Sequence, residues 1–148
     1  MTRAVVLAAL DAVPGRLREA ARNASVVDRP VPDGSWTPAQ VVRHLIAVEV
    51  EVHQSRLADL ATLAAPRWDW IEPGPWTGEP DLTMEALLKR FAGLRAATLA
   101  TVATFDDAGW ARTGTHARLG LLDVRALLVN AIEHDEHHLA GLEPPSPG

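Results

Sequence analysis

The chain has 148 residues, a length typical of one domain that buries roughly two-thirds of its unfolded surface. Hydrophobic residues make up 47% and charged residues 22%, which excludes a disordered or fibrous protein. The net charge is -5, no cluster of Lys or Arg suggests nucleic-acid binding, and the absence of cysteine excludes disulfides and thiolate chemistry. No apolar run approaches the roughly 18 residues of a membrane span, so we predict a cytoplasmic protein without membrane contact.

The first predicted element is an amphipathic helix from about Thr2 to Asn23. Its apolar residues recur at intervals of three and four: Val6, Leu10, Val13 and Leu17. Pro14 falls inside this helix and predicts a kink or a break, because proline lacks the amide hydrogen that a helix interior uses. The stretch 28–35 contains two prolines and one glycine, so we predict a loop there.

A second helix is predicted to begin at Thr37-Pro38 and to end near Ala64, before Pro66. Thr37 can cap the helix, Pro38 suits the first helical position, and Gln40 can complete a capping box. The expected inward-facing stripe consists of Val41, Leu45, Val48, Val52 and Ser55.

The segment 67–80 that follows contains three Trp, three Pro and two Gly. Large aromatic side chains bury much apolar surface, so we predict a structured loop that covers one end of the helices. Its Trp68, Trp70 and Trp76 are candidates for the wall of a pocket.

A third helix is predicted from a cap at Asp81 or Thr83 to about Phe105. Its inward stripe is Met84, Leu87, Leu88, Phe91, Leu94, Ala97 and Thr98. The stretch 106–116 is predicted to be a second polar connection, which contains Trp110 and His116.

Asp123 is predicted to cap the fourth helix, and residues 144–148 form a short proline-rich tail without regular structure. The inward positions of this helix are Val124, Leu127, Leu128, Ala131, His134 or Asp135, His138 and Leu142. The predicted fold is therefore an all-α four-helix bundle with long crossover loops, in a single domain over residues 1–143.

Three histidines fall on faces that are predicted to be buried. His134 and His138 are four residues apart, about 40° around the helix axis, and they extend the apolar stripe of the fourth helix. On the second helix, His44 lies on the stripe with Val41 and Val48. Three neutral imidazoles would leave positions open on a divalent metal ion, as in a reactive site. The alternative is a set of partly exposed, hydrogen-bonded histidines.

Carboxylates near these histidines are the candidate catalytic groups. Glu51 lies about 20° from His44 around the helix and Glu49 about 140°, so Glu51 is the better placed of the two. Asp135 could orient a ligating imidazole from outside the ligand set. For all of these carboxylates, the alternative is a solvated charge on the helix surface.

The remaining histidines have weaker patterns. His137 lies about 60° to the other side of His134, near the margin of the buried face. We expect His53 and His116 on the surface or in loops, with His116 as a candidate pocket residue.

At this point the sequence resembles the DinB-like or YfiT-like metal-binding bundles, a superfamily that includes metal-dependent hydrolases and thiol S-transferases. The resemblance spans nearly the whole chain. It rests on Ser35-Trp36-Thr37-Pro38 with His44-Leu45, on the set Trp110, Arg112, Gly114, His116 and Gly120, and on His134-Asp135-x-x-His138-Leu139.

The resemblance implies that His44, His134 and His138 are metal ligands, with zinc, nickel or iron as the metal. It also implies an up-down-down-up bundle, often a homodimer, and a metal that activates a low-molecular-weight thiol such as bacillithiol or mycothiol. Thiol transfer to a small-molecule substrate is therefore the first functional hypothesis. The alternatives are hydrolysis by metal-activated water, with Glu51 or Asp135 as the base, and a non-catalytic stress or interaction module.

Overall fold

The computed structural model describes residues 1–26 and 35–143, and it confirms the predicted four-helix bundle. In chain order the elements are α1 (Arg3–Val26), α2 (Pro38–Val48), a π-helical segment (Glu49–Gln54), α3 (Ser55–Thr62), β1 (Arg67–Trp68), α4 (Met84–Ala103), α5 (Asp107–Trp110), β2 (Thr113–His116), β3 (Gly120–Asp123) and α6 (Val124–Leu142). Helix α1 packs against α4 and α6, and α2 packs mainly against α4. Within the described ranges, no helix is long and apolar enough to cross a membrane.

Helix α1 continues through Pro14, so the predicted break is wrong. Proline removes one backbone donor, but Val13 and Leu17 on either side of it are fully buried against the core. Packing of this face therefore keeps the helix continuous. The predicted loop at 28–35 and the tail at 144–148 lie almost entirely outside the described residues.

The second helix begins as predicted. The Thr37 hydroxyl accepts a hydrogen bond from the Gln40 amide, and the Gln40 side chain accepts one from the Thr37 amide, which completes the capping box. After Val48 the chain forms a π-helical segment that the sequence did not predict. This wider turn delays the return to the core by one residue, so Val52 and Leu57 are buried five positions apart. Ser55, which we expected on the inward stripe, is exposed for this reason.

Thr83 caps α4 and Asp123 caps α6, as predicted, each by accepting a hydrogen bond from a backbone amide of the first turn. Two apolar clusters fill the core, one around Leu10, Leu57 and Leu128 and the other around Leu17, Leu45 and Leu139. Each fully buried leucine stabilises the fold by about 1.5–3 kcal/mol relative to exposure. The apolar stripes thus dictate the bundle.

A small three-stranded sheet packs on the bundle, and β2 lies within the stretch 106–116 that we predicted to be a polar connection. Strand β2 pairs in parallel with β1 and antiparallel with β3. Gly114 of β2 lies against the indole ring of Trp68, where an added Cβ would come within 2.3 Å of a ring carbon. Glycine is therefore required for this close approach, and the strand that contains it ends at His116.

Candidate metal centre

Three histidines from two helices converge at one point. His44 comes from α2, and His134 and His138 come from successive turns of α6. Each offers a ring nitrogen, and these atoms all lie within 4.8 Å of one another. His44 is buried and the other two are half-buried, with the indole of Trp36 packed 4.5 Å from the ring of His44. The structure therefore brings together the three residues that the sequence placed on buried faces.

The hydrogen bonds of His44 fix which nitrogen faces the cluster. Its Nδ1 lies 2.7 Å from the carbonyl oxygen of Pro73, and because a carbonyl only accepts, Nδ1 must donate. The lone pair of a neutral ring is then on Nε2, which lies 3.2 Å from Nε2 of His134. A histidine that donates from its outer nitrogen to a carbonyl is the usual arrangement around a protein-bound metal. This donor set fits a divalent ion.

Burial keeps all three imidazoles neutral. Burial and repulsion by neighbouring histidines lower the pKa of His134 to about 3 and that of His138 to about 4. Burial also lowers the pKa of His44. Neutral imidazole is the form that binds a metal, so at pH 7 no proton has to leave before the ion binds.

A cavity of about 200 Å³ opens beside the cluster, with His44 and His134 in its wall. Of the residues that we expected to line a pocket, Trp70 and His116 do so. Trp68 instead lies in the apolar core, where its Nε1 donates to the Asp59 carboxylate at 3.0 Å. Trp76 packs against the other core cluster, with the guanidinium of Arg90 4.1 Å from its ring centre.

His53 and His116, both expected on the surface or in loops and the latter also a candidate pocket residue, line this cavity. His116 is only 2% exposed, and its Nδ1 accepts hydrogen bonds from the amides of Arg118 and Leu119 at 3.0 and 3.2 Å. His53, in the π-helical segment, has a buried Nε2 without a hydrogen-bond partner in the described part of the chain. Its ring centre lies 6.3 Å from that of His134. The π turn is the local feature that places His53 here, and such turns often occur at functional sites.

The carboxylates near the histidines are not arranged as the helical projection predicted. Glu51 is exposed on the helix surface, whereas Glu49, which the projection turned away from His44, is 1% exposed. Both carboxylate oxygens of Glu49 accept hydrogen bonds from Arg95, at 2.8 and 3.0 Å, and Asp135 accepts one at 2.9 Å. Asp135 thus binds Arg95 instead of a histidine. The π-helical segment that contains Glu49 packs against both α4 and α6. A prediction that assumed one inward stripe therefore did not describe this segment.

The pKa values of this buried cluster follow its hydrogen bonds. Burial alone would raise the pKa of Glu49, but the two bonds and the charge of Arg95 outweigh it and hold that pKa below its usual range. Burial raises the pKa of Asp135 to about 6, because its single bond to Arg95 does not offset the loss of solvent and the charge of Glu49. One guanidinium therefore neutralises Glu49 more fully than Asp135.

From the burial of His53 we predict a specific pH dependence of the stability of the metal-free protein. Burial lowers its pKa from 6.5 to about 4, so between these values the unfolded chain binds a proton that the folded chain does not. Its contribution is present above pH 6.5 and is lost as the pH falls toward 4. We expect the free energy of unfolding in urea to change less between about pH 7.5 and about pH 5 in His53→Gln than in wild type.

The exposed His137 provides the control, because His137→Gln should keep the wild-type pH dependence. If His53→Gln and wild type lost the same stability over this range, the imidazole of His53 would have to be solvated in the folded protein.

Sequence reasoning missed Arg56 and Arg95 as well as His53. Arg95 had a detectable signal, because it follows Phe91 by four residues and precedes Thr98 by three, on the face predicted to be buried. An arginine on such a face requires a carboxylate partner on a neighbouring helix. Arg56 and His53 had no comparable signal, since the π turn alters the face on which they lie.

Comparison with known proteins agrees with this architecture. The profile of the DinB superfamily matches residues 2–142. Among solved structures, the chain is similar to YfiT from Bacillus subtilis, described as a probable metal-dependent hydrolase with an unusual four-helix bundle topology. The identity is 22%, the alignment covers 96% of this chain and 86% of YfiT, and the TM-score is 0.71. At this identity the likeness shows the fold alone. A search of curated proteins found no match.

Proposed function

Because the chain belongs to the DinB superfamily, we propose that it is a metal-dependent hydrolase of small molecules, with the ion held by His44, His134 and His138. The observation that carries this proposal is the convergence of three ring nitrogens within 4.8 Å, with two of these histidines in the wall of a cavity. Neutral nitrogen ligands suit zinc, nickel or iron. Three of them leave coordination positions open for reactants.

A bound divalent ion would supply Lewis-acid activation, which polarises a substrate carbonyl and brings the pKa of water near 7. The protein residues then have separable tasks. The Pro73 carbonyl fixes the ring of His44 and its tautomer. His53 is neutral at pH 7, and its Nε2, which has no partner among the described residues, can accept a proton when the ring hydrogen is on Nδ1. We assign His53 the role of general base, in place of Glu51 or Asp135.

The size of the cavity favours water over a thiol as the nucleophile. Its volume of about 200 Å³ is below the usual range of ligand pockets, which begins at about 300 Å³. One water molecule needs only about 10–15 Å³ of this volume and leaves most of the space to the substrate. A low-molecular-weight thiol would have to share this space with the electrophile. The description of YfiT as a probable hydrolase supports the same choice by analogy.

The proposal predicts hydrolysis that requires metal and His53 but no thiol. We expect the purified protein to cleave activated esters such as p-nitrophenyl acetate, to lose this activity on chelation and to regain it when zinc, nickel or iron(II) is restored. His53→Gln should lower kcat by about 100-fold or more, because general base catalysis contributes that much. Steady-state kinetics on metal-loaded wild type and variant, with bound metal measured in both, checks this.

The exposed His137 again gives a matched control, and His137→Gln should leave kcat unchanged. Full activity in His53→Gln would show that His53 is not the general base and that another group has this role. Activity that appears only when a thiol is added would reverse the choice of nucleophile and establish the thiol S-transferase. Bound metal without turnover of esters, amides or thiol acceptors would favour the interaction module.

We also retain as proposals that the protein is cytoplasmic and forms a homodimer, which composition and the family resemblance respectively suggest. Exposed apolar side chains at Trp70, Ile71, Leu119 and Leu121 offer surface for a second copy. Light scattering on the purified chain at micromolar concentration gives the mass directly, and a mass of one chain would refute the dimer.

A further inference from the structure

Arg56 is a half-buried cation in the wall of the cavity. Its Nη2 donates to the backbone carbonyl of Asp69 at 3.1 Å, and its guanidinium lies 5.8 Å from the ring centre of Trp68. Among residues 1–26 and 35–143, no carboxylate oxygen lies within ion-pair distance of it. A guanidinium has five N–H donors, and a partly buried one that lacks an anion is costly.

His116 lines the same cavity and has a fixed tautomer. Because its Nδ1 accepts two backbone hydrogen bonds, the proton of the neutral ring must be on Nε2. Burial lowers the pKa of His116, and the charges of Arg56 and Arg118 lower it further, so the ring is neutral at pH 7. His116 therefore offers an N–H group and cannot serve as a base in this tautomer.

The cavity wall carries charges of both signs beside apolar side chains. Among the described residues that line it, Glu72 is the carboxylate and its charge acts on His44. Arg56 and Asn130, together with Val52 and His53, also line a small cavity of about 30 Å³. Val48, Val52 and Leu119 contribute apolar surface to the wall.

From this arrangement we infer that Arg56, His116 and Asn130 form an oxyanion subsite, so the substrate is a small apolar molecule that carries a carboxylate or phosphate group. The planar guanidinium can donate two parallel hydrogen bonds to such a group. The reacting bond would then lie toward His44 and His134, which line the same cavity. This inference rests on the proposed function, since it names the substrate class of the same site.

The test is calorimetric titration of the full-length protein, both metal-loaded and after chelation, with benzoate, phenylphosphonate and neutral benzamide. We expect benzoate or phenylphosphonate to bind at least about 10-fold more tightly than benzamide, since a hydrogen bond to a charged group contributes more than a neutral one. The tighter of the two anions identifies carboxylate or phosphate as the ligand. Arg56→Gln should weaken anion binding at least about 10-fold in both metal states.

Arg112→Gln is the matched control. Arg112 also donates to backbone carbonyls, those of Ala61 and Leu63, but it is exposed and does not line the cavity. This variant should bind the anions like wild type. If Arg56→Gln fails to fold, Arg56→Lys decides the question, because lysine keeps the charge and loses the planar pair of donors. Several-fold weaker binding in Arg56→Lys supports the subsite, and unchanged binding overturns it.

Equal affinity for benzoate, phenylphosphonate and benzamide in wild type, or wild-type anion binding in Arg56→Gln, would overturn the subsite. Elemental analysis of the same samples measures their bound metal and so tests the metal centre separately. Anion binding that depends on Arg56 in a protein that takes up no metal would refute the hydrolase and leave the subsite standing. A protein that binds metal but shows no preference for anions would refute the subsite and leave the hydrolase standing.

Discussion

Replacement of His138 by alanine should leave the purified protein with almost no bound metal, while wild type retains close to one equivalent. The variant keeps only two of the three convergent imidazoles. Loss of a residue that merely orients a ligand weakens metal binding by about 10- to 100-fold, so loss of a ligand should exceed about 100-fold. Elemental analysis of protein prepared without a metal-binding tag measures the stoichiometry, and a competition titration with a chelator measures the affinity. His44→Ala should behave in the same way.

The adjacent His137 makes this test specific. Its ring centre is 5.1 Å from that of His138, but it is exposed and does not belong to the convergent set. His137→Ala should keep the wild-type metal content. A wild type that takes up no zinc, nickel or iron would refute the metal centre and favour the interaction module. Equal loss in the His137 and His138 variants would point to a surface cluster instead.

Arg95→Met should destabilise the fold strongly. Methionine fits the volume and removes the charge, which leaves the carboxylates of Glu49 and Asp135 buried at 1% exposure without a cation. Breaking a buried ion pair in this way costs about 3–5 kcal/mol. For a chain of this size, the melting temperature should fall by at least about 6 °C. Urea and thermal denaturation, followed by circular dichroism, measure both quantities.

Arg90 is the matched control on the same helix. It forms an ion pair with Glu79 at 2.9 Å and lies over the ring of Trp76, but both charged side chains are about half exposed, so Arg90→Met should cost no more than about 1–2 kcal/mol. If the cost in Arg95→Met comes from unpaired carboxylates, adding Glu49→Gln and Asp135→Asn should restore part of the lost stability. An Arg95→Met protein as stable as Arg90→Met would contradict a buried ionic cluster.

Local sequence patterns were sufficient to predict the helices and to place the three histidines on inward faces. The caps at Thr37, Thr83 and Asp123 depend on hydrogen bonds within a few residues, so their residue types alone predict where helices begin. Helical spacing likewise placed His134 and His138 one turn apart on the inward face. The helix starts and the faces on which these histidines lie were therefore predictable from the sequence, because each depends on residues three or four positions apart. That His44 meets His134 and His138 depends on the packing of α2 and α6.

Contacts between residues distant in the sequence decided the small sheet, the residues that line the cavity and the burial of the charged side chains. The strand that ends at His116 pairs with two other strands and packs on Trp68 at Gly114, and a strand this short has no periodicity of its own. The π turn altered the helix faces beyond Val48 and brought His53 and Arg56 to the cavity while Glu51 remained exposed. Whether a charged side chain on a helix is solvated or buried depends on what the neighbouring helices place opposite it, as Glu49, Asp135 and Arg95 illustrate. Only the tertiary structure supplies that information.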